Sequence, residues 1–153
     1  GLAKVNRIAP KPVLERSPKP HLDVDNLRAI IVNRMHVLRD YTKQVTLPVW
    51  KKERALAQGN AAFRRAKKLL VRRPALLDDN AMERLGDVLA NSSALKTVHE
   101  FRERLSEIWS GANVSNEKLL SQLREWCAQA EASGIKVLED FAERLRTYQL
   151  APA

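Results

Sequence analysis

The fold is decided by a pattern that spans residues 115–148, SNEKLLSQLREWCAQAEASGIKVLEDFAERLRTY. Its first half carries apolar residues at three- and four-residue steps and stops at Gly134, and its second half repeats that spacing from Ile135 to Tyr148. Apolar residues at this spacing lie on one face of an α-helix, and Gly is common just after a helix end. The stretch therefore predicts two amphipathic helices joined by a short turn.

The same helical spacing extends towards the N-terminus, and no stretch shows the two-residue alternation of a half-buried strand. Caps, prolines and glycines separate the apolar runs, as expected at helix boundaries. We therefore predict an all-α fold, an antiparallel helical bundle of five to seven helices. The expected boundary residues are Asp23 or Asp25, Pro48, Gly59, Asn60, Pro74, Asp79, Ser92 or Ser93, Gly111, Ser115 and Gly134.

The first residues of the chain differ in composition from the rest. Four prolines and five Lys or Arg stand among the first twenty residues. Each proline favours extended backbone in the residue before it. Since 153 residues suffice for one domain with a tail, we expect a Pro-rich basic strap over residues 1–22 and a helical C-terminal domain over residues 23–150.

Positive charge is concentrated in the first half of the chain, which has a net charge of +9. Residues 1–74 contain 18 Lys or Arg and 5 Asp or Glu, whereas residues 75–153 contain 9 and 13. Such a layout favours an anionic partner, either nucleic-acid phosphates or anionic lipid headgroups. The alternative without a partner is a charged helix face that only contacts solvent. The candidate contacts are Arg64, Arg65, Lys67, Lys68, Arg72 and Arg73 in the run FRRAKKLLVRRP, with Lys4, Arg7 and Lys11 in the strap.

The sequence contains no complete motif for catalysis or for metal binding. The single cysteine, Cys127, lies on an apolar helix face, where burial is the usual fate of a free thiol. His21, His36 and His99 lack the Glu-x-x-His spacing of carboxylate-bridged di-iron bundles. Trp50 fits either an interfacial anchor or a core position. We assign no catalytic, cofactor-binding or metal-ligating residue and expect no cofactor in this chain.

Four stretches carry a resemblance to a known family: LAKVNRIAPKP (2–12), FRRAKKLLVRRPALLDD (63–79), SSALKTVHEFRERLSEIW (92–109) and LREWCAQAEASGIKVLEDFAERLRTYQL (123–150). They resemble the C-terminal cytoplasmic region of bacterial membrane di-iron fatty-acid desaturases. The resemblance implies a parent enzyme that inserts a cis double bond into a membrane acyl chain, using dioxygen and two iron ions. The family's iron ligands are histidine clusters in the preceding membrane domain, and none of them can be carried over to this chain.

The desaturase resemblance implies a non-catalytic domain that stabilises or anchors the membrane part or binds a partner. Its implied partners are the membrane domain of the parent, anionic lipid headgroups, and a ferredoxin or reductase, with nucleic acid ranked below them. The implied location is the cytoplasmic face of the bacterial inner membrane. Positive residues next to a membrane span favour the cytoplasmic side. The acyl substrate, the double-bond position and the oligomeric state stay open.

Two alternatives stand beside this interpretation. The stretch WCAQAEASGIKVLEDFAERLRTY, residues 126–148, also resembles the terminal helices of insertion-sequence transposases. That resemblance implies a DNA-binding C-terminal fragment in which the basic helix contacts phosphates and the catalytic carboxylates lie outside the chain. A plain helical interaction domain, kept in solution by its charge, is the other alternative.

Overall fold

The protein is described by a computed structural model over residues 21–110 and 114–149, and this part of the chain is helical and contains no strand. The predicted all-α bundle is confirmed. The described residues form more segments than five to seven because short breaks divide the predicted helices over residues 23–48 and 60–74. The α-helices are α1 (Val24–Val32), α2 (Arg34–Tyr41), α3 (Leu47–Leu56), α4 (Ala61–Arg64), α5 (Lys67–Val71), α6 (Asp79–Ala90), α7 (Ser93–Ile108), α8 (Asn116–Glu131) and α9 (Lys136–Arg146).

The beginning of the described fold is tied to its end. Leu22 is fully buried, and its carbonyl accepts a hydrogen bond from Arg124 Nε on α8 at 2.7 Å. Asp23 and Asn26 form a capping box at the start of α1, and Asn26 Nδ2 donates to the Tyr148 carbonyl at 2.9 Å. These bonds fix α1 against α8 and against the residues after α9. Residues 1–20 of the predicted strap lie outside the described residues, so the strap and the domain limits stay predictions.

A π-helical segment, Thr42–Thr46, connects α2 to α3. Pro48 follows it at the start of α3. Proline has no N–H for the carbonyl four residues back, and its ring crowds that turn; a widened turn accommodates both effects. The helix therefore continues past the position where Pro48 predicts a kink or an end. Val45 and Thr46 are buried, so the widened turn lies in the core.

The centre of the core is an aromatic cluster on α2, α7, α8 and α9. Tyr41 lies edge-on to Phe141 with ring centroids 5.1 Å apart, and Phe101 lies edge-on to Trp126 at 5.7 Å. Such pairs contribute about 0.5–1.5 kcal/mol each beyond burial. The polar atoms are satisfied, since Tyr41 Oη donates to the Val98 carbonyl and Trp126 Nε1 donates to the Phe101 carbonyl at 2.9 Å. Burial also raises the pKa of the Tyr41 phenol.

The α8–α9 hairpin matches the two helices and the short turn that the pattern over residues 115–148 predicts. Its turn contains Gly134 at a φ of +79°, a backbone region that residues with a Cβ rarely adopt. Beyond the turn, Arg146 Nε donates to Glu131 Oε2 at 2.8 Å and Arg146 Nη2 donates to Glu131 Oε1 at 2.9 Å. A bidentate ion pair therefore joins the last residue of α8 to the last residue of α9.

Candidate functional site

The basic run folds as two short helices held against the core by their apolar residues. Asn60 caps α4, with its Oδ1 accepting from the Ala62 amide at 2.9 Å. Phe63 is buried, and its carbonyl accepts from Trp50 Nε1 at 2.7 Å. Trp50 is 5% exposed, so its interpretation as a core residue is confirmed. The remaining buried positions of the predicted apolar stripe are Ala66, Leu69 and Leu70.

Because this stripe faces inwards, the cations between its members face solvent. All six predicted contacts in α4, α5 and the residues that follow are exposed. Within the described residues, none of the six forms an ion pair with a carboxylate, and Arg64 Nη1 donates to the Gly59 carbonyl at 3.1 Å. Neighbouring cations without countercharges create a local positive potential that attracts anions. The six residues are Arg64, Arg65, Lys67, Lys68, Arg72 and Arg73.

A groove of about 620 Å³ runs between α4–α5 and α6. Its apolar lining comes from Trp50 and from Leu69, Leu76, Leu77 and Ala81. Its cationic lining is Arg64, Arg65, Lys67, Lys68, Arg72 and Arg84. We call these lining residues together the basic groove.

The basic groove contains one lining carboxylate, that of Asp78. Asp78 is the N-cap of α6, and its Oδ1 accepts from the Ala81 amide at 2.8 Å. A carboxylate at this position interacts favourably with the positive end of the helix dipole. The six cations of the lining outnumber this carboxylate, so the groove is positive.

A second hollow of about 250 Å³ adjoins the basic groove. Arg65, Leu69 and Arg84 line both spaces, so the two hollows lie on either side of this trio. Asp87 is the carboxylate of the second hollow. The shared residues make the second hollow a neighbour of the basic groove on the surface formed by α4, α5 and α6.

The predicted contact residues divide into three sets. The structure brings Arg64, Arg65, Lys67, Lys68 and Arg72 into the basic groove. Arg73 is exposed but does not line it. The three strap candidates, Lys4, Arg7 and Lys11, lie outside the described residues.

Arg84 is a groove cation that the sequence patterns did not predict. It belongs to the acidic half of the chain, where no candidate contact is predicted from the sequence. Arg84 Nε donates to Asn80 Oδ1 at 2.9 Å, which places the side chain along α6. The sequence does contain one indication of this position, which is the spacing of Arg84 from Ala81. Both residues line the basic groove, and residues three apart are neighbours on a helix surface.

Two reactive side chains lie in the core of the described residues, Cys127 and His99. Cys127 is fully buried, and burial raises the pKa of its thiol to about 12, so the nucleophilic thiolate is strongly disfavoured. His99 is 8% exposed, and burial followed by the nearby Arg102 charge lowers its pKa. Among the described residues there is no group of three or more side chains of the metal-ligating types.

Comparison with known proteins points to mobile genetic elements. A family model described as a transposase, of the DDE ISL3 type, matches residues 26–151. The transposase for insertion sequence element IS1001 of Bordetella parapertussis is 31% identical over an alignment of 123 residues, which covers 78% of this chain and 30% of that transposase. The chain therefore spans less than a third of the length of this relative. No solved structure gives a significant match.

These matches overturn the desaturase interpretation. The expected role in fatty-acid desaturation and lipid metabolism as an oxidoreductase domain is wrong, and the two iron ions that it implied for a parent enzyme lose their basis. The expected partners, namely a parental membrane domain, lipid headgroups and a ferredoxin or reductase, are also wrong, as is the expected ranking of nucleic acid below them.

The expected location at the cytoplasmic membrane face is contradicted by the same matches. In addition, no helix among the described residues is both long and apolar enough to cross a bilayer. The physical reason for the error is that the sequence patterns behind the resemblance are apolar periodicity and basic runs. Periodic apolar residues report which helix face is buried, and a basic run suits any polyanion.

The alternative interpretation is the one that the comparisons support. The family match includes the basic α4–α5 segment as well as the α8–α9 hairpin, so it extends well beyond residues 126–148, the stretch that resembles transposase helices. It covers nearly every described residue of the fold. The chain belongs to the transposase family.

Proposed function

We propose that this chain is a DNA-contacting helical part of an insertion-sequence transposase and that the basic groove binds the DNA backbone. The observation that carries the proposal is the set of exposed cations on α4, α5 and the following residues, which have no carboxylate partner among the described residues. Insertion-sequence DNA is the substrate class that the name of the IS1001 relative supports.

Phosphate contact is the chemistry that this arrangement favours. Lys and Arg bound to phosphates release condensed counterions, so the binding free energy rests on a term that weakens steeply with salt. Such contacts position a protein on DNA and carry no sequence information by themselves. The proposal therefore assigns DNA contact, rather than sequence recognition or the chemical step, to the basic groove.

The test is a salt titration of DNA binding by the 153-residue chain, measured by fluorescence anisotropy. The double variant Lys67→Gln/Lys68→Gln should flatten the plot of log K against log salt by about 0.9 for each phosphate that a lysine no longer neutralises. The matched control is Lys96→Gln/Lys118→Gln, which removes the same charge from exposed lysines outside the basic groove. If both variants change the slope equally, or if the chain does not bind DNA, the proposal is wrong.

A further inference from the structure

The basic groove has an apolar floor that phosphate binding alone does not use. Leu69, Leu76 and Leu77 line it between cations that come from α5 and α6. Leu76 lies on the 3₁₀ turn Pro74–Leu76 and is 67% exposed. Single exposed leucines are ordinary on protein surfaces. An exposed leucine that lines the same groove as two other leucines and six cations offers a ligand apolar and anionic contacts at once.

Double-stranded DNA does not match this combination well. A duplex keeps its base faces stacked inside and presents phosphates, sugars and groove edges to a protein. An unpaired strand exposes its phosphates and the flat apolar faces of its bases together, and proteins bind it with a positive groove plus aromatic side chains on which the bases stack. Leucine side chains offer the base faces an apolar surface without the aromatic ring. The volume of the groove also favours a single strand over a duplex. It is about 620 Å³, which lies in the range of small-ligand pockets and accommodates roughly one or two nucleotides.

The presence of a second hollow beside the basic groove favours a strand over an isolated nucleotide as the ligand. The second hollow shares Arg65, Leu69 and Arg84 with the basic groove. A strand bound in the basic groove could therefore continue past these three residues into the second hollow. Most of the cations along this path lie on the α4–α5 side, and the α6 side adds Arg84 together with the carboxylates of Asp78 and Asp87. The phosphate backbone would therefore follow the α4–α5 side.

We propose that the basic groove binds an unpaired DNA strand, with phosphates on its cations and base faces on the leucine floor formed by Leu69, Leu76 and Leu77. The inference rests on the proposed function, and it adds the form of DNA that the groove takes. Leu76 contributes to affinity through the bases, whereas Lys67 and Lys68 contribute through the phosphates. The two contributions can therefore be separated experimentally.

The experiment compares three fluorescent probes of equal length: an oligothymidylate, an abasic strand with the same phosphates, and a DNA duplex. The protein is the whole 153-residue chain, as wild type and as Leu76→Ser. The matched control is Leu56→Ser, because Leu56 is 66% exposed and does not line the basic groove. Circular dichroism of all three proteins verifies that these surface changes leave the fold intact.

We expect the wild type to bind the oligothymidylate about fivefold more tightly than the abasic strand, which is the low end of the effect of aromatic stacking because leucine contributes apolar contact alone. Leu76→Ser should remove most of this preference and leave the salt dependence and the duplex affinity unchanged, while Leu56→Ser should behave as wild type. Equal binding of the two single strands overturns the inference, as does equal weakening of all three probes by Leu76→Ser. If these failures occur while the lysine variants still flatten the salt dependence, the proposed function stands without the strand specificity; an absence of binding to any probe overturns both.

Discussion

The α8–α9 hairpin and the α4–α5 segment use arginine in opposite ways. In the hairpin, Arg146 makes two bonds to Glu131, and their side chains are only 11% and 8% exposed. In the basic segment, Arg64 and Arg65 are exposed and have no described carboxylate partner. The same guanidinium stabilises a fold where its countercharge is built in and is available to a ligand where it is not. The difference between the two regions is thus one of charge pairing rather than of residue type.

The largest expected effect is on stability, in the hairpin. Arg146→Ala leaves the Glu131 carboxylate mostly buried without its bidentate partner, and we expect a loss of about 3 kcal/mol in the free energy of unfolding. Arg64→Ala removes an exposed side chain and should change that free energy by less than about 0.5 kcal/mol. Urea unfolding of both variants measures the two values. Similar losses in the two variants would contradict the distinction between structural and available arginines.

A second comparison sets the two buried tryptophan N–H groups against each other. Trp50 donates to the Phe63 carbonyl in α4, whereas Trp126 donates to the Phe101 carbonyl in the aromatic core. Replacement of either by Phe removes one hydrogen bond to a buried helix carbonyl, and we expect each change to cost about 1 kcal/mol of stability. Only Trp50→Phe should also weaken DNA binding, because it loosens the attachment of α4 beneath the cations.

The measurement for the tryptophan pair combines urea unfolding with DNA anisotropy under conditions where both variants are fully folded. Trp126→Phe is the control for a general loss of stability. If both variants lose DNA affinity to the same extent, the effect comes from global destabilisation and not from the anchoring of α4.

The core also predicts a dependence of stability on pH. His99 is buried, and burial lowers its pKa from the usual 6.5, with the Arg102 charge acting in the same direction and Glu100 against it. The folded state therefore binds fewer protons than the unfolded state as the pH falls below 6.5. This contribution to stability is fully present above that pH and is lost as the pH falls through 6.5 towards the lower folded value.

Urea unfolding between pH 7.5 and pH 6 checks this dependence. Nearby Glu103 acts in the opposite direction at lower pH, because burial raises its pKa from the usual 4.5, so the upper window isolates the histidine. His99→Leu should flatten the fall in stability that wild type shows there. Equal slopes for wild type and variant would assign the pH dependence to other groups.

Local chemistry makes much of the fold predictable from the sequence. Asn60, Ser92 and Ser115 are predicted to begin helices, and each is an N-cap whose side-chain oxygen accepts from a backbone amide within three residues. A cap and an apolar stripe act over a single helical turn or two, so the sequence alone contains the required information. The solvent-facing position of Lys67 and Lys68 follows from the same stripe.

Tertiary contacts and the family could not be obtained in this way. The bond from Arg124 to the Leu22 carbonyl joins residues 102 positions apart, and Arg84 enters the basic groove from a different helix and from the acidic half. No local pattern specifies which helices become neighbours. The desaturase resemblance failed for a related reason, since amphipathic helices of similar length and charge serve unrelated proteins.

Two glycines extend the comparison to backbone conformation, one in the α8–α9 hairpin and one in α6 beside the basic groove. A Cβ added at Gly134 in the hairpin turn or at Gly86 in α6, which borders the basic groove, would meet nothing within 4 Å. Packing is therefore equal, and only the backbone differs. Gly134 has a φ of +79°, so Gly134→Ala should lower the free energy of unfolding by about 1 kcal/mol. Gly86 lies at an exposed position inside a helix, so Gly86→Ala should raise the free energy of unfolding by about 1 kcal/mol. Urea unfolding should show opposite signs, and a shift in the same direction for both would mean that contacts rather than backbone conformation decide the outcome.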